Sequence, residues 1–154
     1  MTARCQVTII DEAGSVEIDR ERIQAVVDAA VAEDGLEANA LTVLVVDAAE
    51  SARLHQEHFA DPDATDVMTF PDGSEDPESG LTLLGDLAVC ADVAQREAVA
   101  RGRLPRDELT LYVLHGLLHL LGYDDVDAGD QREMWQTQRR LLAPLGIVIE
   151  EEPS

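Results

Sequence analysis

The stretch His115-Gly-Leu-Leu-His119-Leu-Leu-Gly122-Tyr-Asp-Asp125 places two histidines four residues apart and a carboxylate shortly after them. Residues at i and i+4 are neighbours on one helix face, so both imidazoles can reach the same ion. Gly122 can adopt the left-handed turn that ends a helix, which brings Asp125 back toward the rings. Three protein ligands leave a coordination position open for water, as in catalytic zinc sites. The stretch therefore predicts that His115, His119 and Asp125 bind one zinc ion.

Packing is the alternative explanation for the two histidines, since imidazoles at this spacing can simply be hydrogen-bonded inside an apolar helix. The helix predicted over residues 109–121 is apolar on nearly every side. Two histidines in such a core would need partners that the local sequence does not offer, and buried polar groups without partners are costly. This cost favours a metal ion. Asp124 is an adjacent alternative ligand, and His55 or His58 could reach in from an earlier helix.

The chain has the length and composition of a single domain. Its 154 residues include 45% hydrophobic side chains, and a chain of this size buries roughly two-thirds of its unfolded surface. We expect one domain over residues 1–149 and a frayed acidic tail over residues 150–154. The first ten residues lack the continuous apolar segment of a secretory signal, and the longest apolar run is too short to cross a bilayer. With only two distant cysteines, Cys5 and Cys90, these features predict a cytoplasmic protein with free thiols and no membrane partner.

The charge of the chain is strongly one-sided. Its formal net charge is −21, and all 11 basic side chains are arginines. A field of this sign repels nucleic acid, so an RNA substrate would need a local positive surface, a bound cation or high ionic strength. Because screening shortens the field to about 3 Å in 1 M salt, a high-salt host is one hypothesis for this composition.

One basic concentration lies just before the metal-binding helix and consists of Arg96, Arg101, Arg103 and Arg106. These arginines predict either a surface that faces phosphate or an ordinary helix end, where positive charge complements the helix dipole. The sequence leaves both interpretations open.

Strands and helices alternate along the chain. Hydrophobic periodicity and turn residues predict strands over residues 6–10, 41–46, 65–70 and 81–89. Helices are predicted to begin near Asp19, Asp47, Asp92, Pro105 and Asp127. Asp92 and Gln95 have the spacing of a capping box. The order β-α-β-α-β-β-α-α-α predicts a small α+β domain with one mixed four-stranded sheet and helices packed against it.

Three motifs together resemble the YbeY family of metal-dependent endoribonucleases. Residues 115–124 match that family's His-Gly-x-Leu-His-Leu-x-Gly-Tyr-Asp, residues 65–71 are similar to its Thr-Asp-Val-Leu-Ser-Phe-Pro, and residues 84–87 to its Leu-Gly-Asp-Ile. The motifs follow the family's order and span most of the chain. The resemblance implies a cytoplasmic endoribonuclease that cleaves single-stranded RNA, matures the 3′ end of small-subunit ribosomal RNA and acts in ribosome quality control. The implied partners are single-stranded RNA and the small ribosomal subunit with its proteins.

Two positions depart from the family's pattern. The family's third histidine ligand falls at Asp125, which makes the ligand set two imidazoles and a carboxylate, a combination that zinc accepts. An arginine that the family carries ahead of the Thr-Asp-Val strand falls at Phe59. A cation expected to contact phosphate is therefore missing, and the sequence does not settle whether Arg53 or another arginine replaces it.

The sequence assigns no catalytic base. Gly116 occupies the position where zinc proteases with His-Glu-x-x-His carry the glutamate that activates water, which disfavours peptide hydrolysis. The resemblance implies that Asp66 and Asp86 lie near the site, although each could equally be a structural cap or turn former. Two other functions stay open: a non-catalytic ribosome-assembly factor with a structural metal, and a zinc-dependent peptidase.

Overall fold

The computed structural model describes residues 5–149, so the tail predicted over residues 150–154 lies outside the described residues. The elements are β1 (Cys5–Asp11), α1 (Arg20–Glu33), β2 (Asn39–Val46), α2 (Ala48–Phe59), β3 (Val67–Pro71), β4 (Thr82–Cys90), α3 (Ala91–Arg101), α4 (Pro105–Leu120), α5 (Ala128–Leu142) and a 3-10 helix (Ala143–Leu145). This order confirms the predicted order of strands and helices and the α+β class.

The four strands form one mixed sheet in the order β1-β2-β4-β3. β1, β2 and β4 run parallel to one another, whereas β3 is antiparallel to β4. Val43 and Leu87 are register partners that are fully buried. Because side chains alternate along a strand, these two residues share the core side of the sheet and Asp86 points to the other side.

Helix α4 covers the core side of the sheet. Its first residue is Pro105, a position where the missing amide would have no helical partner in any case. A Cβ atom on Gly116 would lie 2.8 Å from Leu87 Cδ2 and 3.0 Å from Val67 Cγ2, so glycine lets the helix approach β3 and β4 closely. Even this apolar helix, like every other helix within residues 5–149, falls short of what a membrane span requires.

Aspartate side chains cap three of the helices that were predicted to begin near them, at Asp19, Asp47 and Asp127. Asp19 accepts a hydrogen bond from the amide of Arg22 at 3.1 Å, and Asp47 accepts one from Glu50 at 2.8 Å. The predicted capping box at Asp92 is wrong, because α3 continues directly from β4 and its cap residue makes no side-chain hydrogen bond. Asp92 instead accepts a hydrogen bond from the amide of Ala48 at 2.6 Å, which connects α3 to the start of α2.

Candidate metal centre and its clefts

The end of α4 brings the three predicted ligands together. Gly122 has a φ of +102°, and the amide of Tyr123 donates to the carbonyl of Leu118 at 2.9 Å, which closes the expected helix-terminal turn. The chain then returns to place Asp125 beside the two histidines. Within residues 5–149, His115, His119 and Asp125 form the one group of three His, Cys, Asp or Glu side chains whose donor atoms all lie within 4.8 Å of one another.

The distances in this group suit a small tetrahedral ion. The Nε2 atoms of His115 and His119 lie 3.1 Å apart, and Oδ2 of Asp125 lies 3.7 Å from the first and 3.4 Å from the second. Ligand atoms at 2.0–2.1 Å from a tetrahedral zinc are about 3.3 Å apart. The measured triangle is close to that value on every edge, so these side chains fit a zinc-sized ion without rearrangement.

Hydrogen bonds at the outer ring nitrogens support metal binding at the inner ones. Nδ1 of His119 lies 3.1 Å from the carbonyl oxygen of Tyr123, and Nδ1 of His115 lies 2.6 Å from Oε1 of Gln138. A carbonyl oxygen only accepts hydrogen bonds, so each Nδ1 carries the proton and donates it. In the neutral rings both Nε2 atoms then present lone pairs to the same point, which is the usual arrangement of metal-binding histidines.

The two histidines are not enclosed in an apolar core, although the packing alternative requires that they be. The side chains of His115 and His119 are each 26% exposed and that of Asp125 is 45% exposed. All three line open clefts rather than the interior. Exposure on one side leaves room for a substrate group or water next to a bound ion.

The alternative ligands Asp124, His55 and His58 are not part of this group of donor atoms. Asp124 accepts a hydrogen bond from the amide of Asp125 at 2.8 Å, which is the structural role of a residue that follows a helix end. His55 holds the carbonyl oxygen of Asp63 at 2.7 Å, and neither it nor His58 belongs to the metal-ligand group.

Two clefts meet at the candidate metal centre. The larger, with a volume of about 830 Å³, is lined by His115 and Asp125 and extends over α3 and α5. The smaller, of about 290 Å³, is lined by all three candidate ligands and extends along β3 to the end of α2. Thr65 and Asp66 line both. Because His115 and Asp125 also line both, the two clefts adjoin at the candidate metal centre, and we call them together the groove.

The predicted basic concentration divides between the large cleft and another surface. Arg96, Arg101 and Arg103 line the large cleft, whereas Arg106 pairs with Glu17 at 3.4 Å. Arg103 is held by the buried carboxylate of Glu108 at 2.7 Å. The other two arginines, Arg96 and Arg101, both pair with one carboxylate.

That carboxylate is Glu97, which lies 3.6 Å from Arg96 and 3.5 Å from Arg101. The side chains of these two arginines are 70% and 45% exposed, so both guanidinium groups can also contact a ligand. Three guanidinium groups lie beside Glu97 and Glu108 on this wall, and Asp66 and Asp125 add two further carboxylates to the lining of the same cleft. Arg53 does not replace the arginine that the family carries ahead of the Thr-Asp-Val strand, because it binds Glu50 and Glu57 on its own helix and lines neither cleft.

Of the two carboxylates that the family resemblance implies near the site, Asp66 and Asp86, the structure brings one to the groove. Asp66 lines both clefts, although its Oδ1 atom also accepts a hydrogen bond from the amide of Val67 at 2.7 Å. Asp86 lines neither cleft and points away from α4. Phe59, where the family resemblance implies an arginine, lines the small cleft.

Gln138 is the site residue that sequence reasoning missed. It lies on α5 with 8% of its surface exposed and contacts His115 from a distance of 23 residues along the chain. Its helical spacing places it on the apolar face with Met134 and Leu141, both of which are buried. A polar side chain at such a core position was the available signal, because buried polar groups need partners.

A sequence model described as "Endoribonuclease YbeY" matches residues 8–146 of the chain. The chain belongs to this family. The relatives named "Endoribonuclease YbeY" include a protein of Kineococcus radiotolerans, 47% identical over 107 residues, which cover 66% of this chain and 62% of the relative. A relative from Clavibacter michiganensis is 34% identical over 148 residues, which cover 92% of this chain and 95% of the relative. One from Salinispora tropica is 38% identical and covers 89% and 94% of the two chains.

A solved structure supports the fold of this YbeY family member. The solution structure of TM1509 from Thermotoga maritima has a TM-score of 0.61, covers 92% of both chains and is 22% identical in sequence. At this identity the likeness concerns the fold alone. Membership in the family is carried by the sequence matches, and the three ligand positions of this chain fall inside the matched residues.

Proposed function

We propose that this chain is a metal-dependent endoribonuclease that cleaves single-stranded RNA in the groove around His115, His119 and Asp125. Family membership supports the reaction, and the three ligand atoms 3.1 to 3.7 Å apart support the metal dependence. The observation that carries the proposal is that both outer ring nitrogens lie against oxygen acceptors, an arrangement that directs both Nε2 atoms at one point of an open groove. We further propose one zinc ion as the resident metal, because two imidazoles and a carboxylate in a tetrahedral arrangement are typical zinc ligands.

Different residues of the groove would have different roles in the reaction. When bound, the ion supplies Lewis-acid chemistry by polarising a phosphoryl oxygen and favouring ionisation of water. His115, His119 and Asp125 hold it, and the Nδ1 hydrogen bonds to Gln138 and Tyr123 keep the rings in place. Arg96 and Arg101, whose side chains are 70% and 45% exposed, would contact the phosphates of the RNA in the large cleft.

The proposed biological substrate is the one that the family resemblance implies. We propose that the RNA is the 3′ end of small-subunit ribosomal RNA, that the chain acts on the small ribosomal subunit in the cytoplasm, and that it takes part in ribosome quality control. The proposal assigns residues 1–149 to one catalytic domain. Peptide hydrolysis is disfavoured, since Gly116 faces Leu87 and Val67 and a glutamate at that position would point into the sheet instead of toward the groove.

The test compares cleavage of a labelled single-stranded RNA by protein stripped of metal and by protein reloaded with zinc, with the metal content measured by elemental analysis. We expect cleavage only after reloading, and His115→Ala and Asp125→Ala should lose both metal and cleavage. Asp86→Asn is the matched control, because this carboxylate lies outside both clefts. Full cleavage by His115→Ala would refute the proposal. Bound zinc and RNA without any cleavage would indicate the non-catalytic assembly factor, and hydrolysis of casein in place of RNA would indicate the peptidase.

A further inference from the structure

An exposed cluster of rings lies at one end of the groove, where α2 meets β3. It consists of His55, His58, Phe59 and Phe70, which we call the aromatic cluster. The ring centroids of Phe59 and Phe70 are 6.2 Å apart, and His58 lies 5.0 Å from Phe70 in an edge-on arrangement. The chain has only two phenylalanines in 154 residues, and both belong to this cluster.

The cluster presents two rings to solvent, those of Phe59 and His58, and Phe59 is the one that lines the small cleft. Phe59 is 50% exposed, although a side chain of this size gains free energy when it is buried. His55 lies against it with a centroid distance of 5.6 Å, and the Nδ1 contact of His55 with Asp63 holds that imidazole in place. Phe59 is therefore supported by neighbouring rings while much of its surface stays available to a ligand.

The cluster is continuous with the candidate metal centre. Phe59 and His55 line the same small cleft as His115, His119 and Asp125. The arginines of the large cleft lie on the other side of these ligands. A strand of RNA with one phosphate at the candidate metal centre could thus reach the guanidinium groups of the large cleft and the aromatic ring of the small cleft.

We propose that Phe59 stacks against one unpaired base of the RNA, next to the phosphate that is cleaved. This proposal rests on the proposed function, and it names how the groove selects its substrate. Bases of single-stranded RNA can splay out and stack on aromatic side chains, whereas bases in a duplex are already stacked on their neighbours. Stacking joins two uncharged ring faces, so an acidic surface that repels phosphate can still bind RNA in this way. It accepts any base, because every base has a π-face.

The experiment measures the affinity of zinc-loaded protein for a short fluorescent single-stranded RNA by stopped-flow anisotropy, before cleavage proceeds. We expect Phe59→Ala to weaken binding by about 5- to 100-fold and Phe59→Tyr to stay within about twofold of the natural protein. The matched control is Ile10→Ala, which removes a large exposed side chain, 45% exposed, from the edge strand at the other side of the sheet. Thermal melting of each variant shows whether it is folded.

A second arm places a single abasic nucleotide at successive positions of the RNA. At one position, the missing base should weaken RNA binding by the natural protein by the same factor as the Phe59→Ala substitution does. In Phe59→Ala, the missing base at that position should cause no further loss of affinity, because the two changes remove one interaction. Equal RNA affinity of Phe59→Ala, Ile10→Ala and the natural protein would overturn the proposal, as would abasic penalties that persist in full in Phe59→Ala.

The stacking proposal and the nuclease proposal fail differently. If Phe59-dependent binding is found without cleavage, stacking stands and the nuclease function is refuted. If cleavage depends on His115 while binding is indifferent to Phe59, the nuclease stands and stacking is refuted. A natural protein that binds no single-stranded RNA overturns both.

Discussion

The Nδ1 atom of His115 on α4 donates a hydrogen bond to the side-chain oxygen of Gln138 on α5 over 2.6 Å. This contact sets the orientation of the ring and leaves Nε2 free to bind a metal. Partners of this kind are known to change metal affinity by 10- to 100-fold when they are removed. Gln138 thus connects the packing of α5 to the chemistry of a residue on another helix.

We expect Gln138→Leu to weaken zinc binding by about 10- to 100-fold, measured by competition with a chromogenic chelator. Gln138→Glu should retain most of the zinc affinity, because a carboxylate also accepts a hydrogen bond from Nδ1 of His115. Gln136→Leu is the matched control, since Gln136 lies on the same helix but is exposed. Equal zinc affinity of the Gln138→Leu and Gln136→Leu variants would show that the hydrogen bond does not support the metal.

The arginines of the large cleft should make RNA binding sensitive to salt. Each phosphate contact contributes about 0.7 to the slope of log affinity against log salt for single strands. Replacing Arg96 and Arg101 with glutamine should therefore flatten the slope by about 0.7 for each contact that is lost, measured by anisotropy over a salt series. Arg140→Gln is the control, because Arg140 pairs with Glu33 and lines neither cleft. An unchanged slope in the double variant would favour the ordinary helix-end interpretation.

Local signals were sufficient for most of the fold. Asp19 and Asp47 were predictable as caps because the amides they bind lie only three residues away. Asp92 was not, because its partner is the amide of Ala48, 44 residues earlier in the chain. A carboxylate near a helix start looks the same in sequence whether it caps its own helix or contacts another one.

The candidate site shows the same difference between contacts that are local in sequence and contacts between distant parts of the chain. His115 and His119 share a helix face, and Gly122 marks the turn that follows, so the proximity of the three candidate ligands could be predicted from one short stretch. Its surroundings could not, because Gln138 and Phe59 reach the site through the packing of α5 and α2. The arginines could be found in sequence, but only the tertiary structure separates Arg106 from the cleft.

Gly85 is expected to be essential for stability. Its φ is +145°, and a Cβ atom there would lie 2.5 Å from the backbone oxygen of Phe70, an atom that cannot move without disturbing β3. We expect Gly85→Ala to lower the free energy of unfolding by about 2–4 kcal/mol through overpacking and backbone strain, measured by urea denaturation. In Gly80→Ala, with φ of +75° and open space around the site, only the strain of about 1 kcal/mol should be seen. Similar losses in the two variants would exclude the steric explanation.

Stability at alkaline pH should depend on Cys5. Burial, assisted by the nearby charge of Asp28, raises the pKa of the Cys5 thiol from 9.0 to about 12. The unfolded chain therefore loses this proton at a lower pH than the folded chain does, and the folded state loses stability as pH rises above 9.

Between pH 8 and pH 10 this ionisation should lower the free energy of unfolding by up to about 1.4 kcal/mol, the value of one pKa unit. The check is urea denaturation of the natural protein and Cys5→Ala at both pH values. The packing change in Cys5→Ala contributes equally at the two pH values, and other groups that ionise between them contribute equally to both proteins. The difference between the two pH-dependent losses therefore isolates the thiol. The same loss in both proteins would mean that the folded state does not resist ionisation of Cys5.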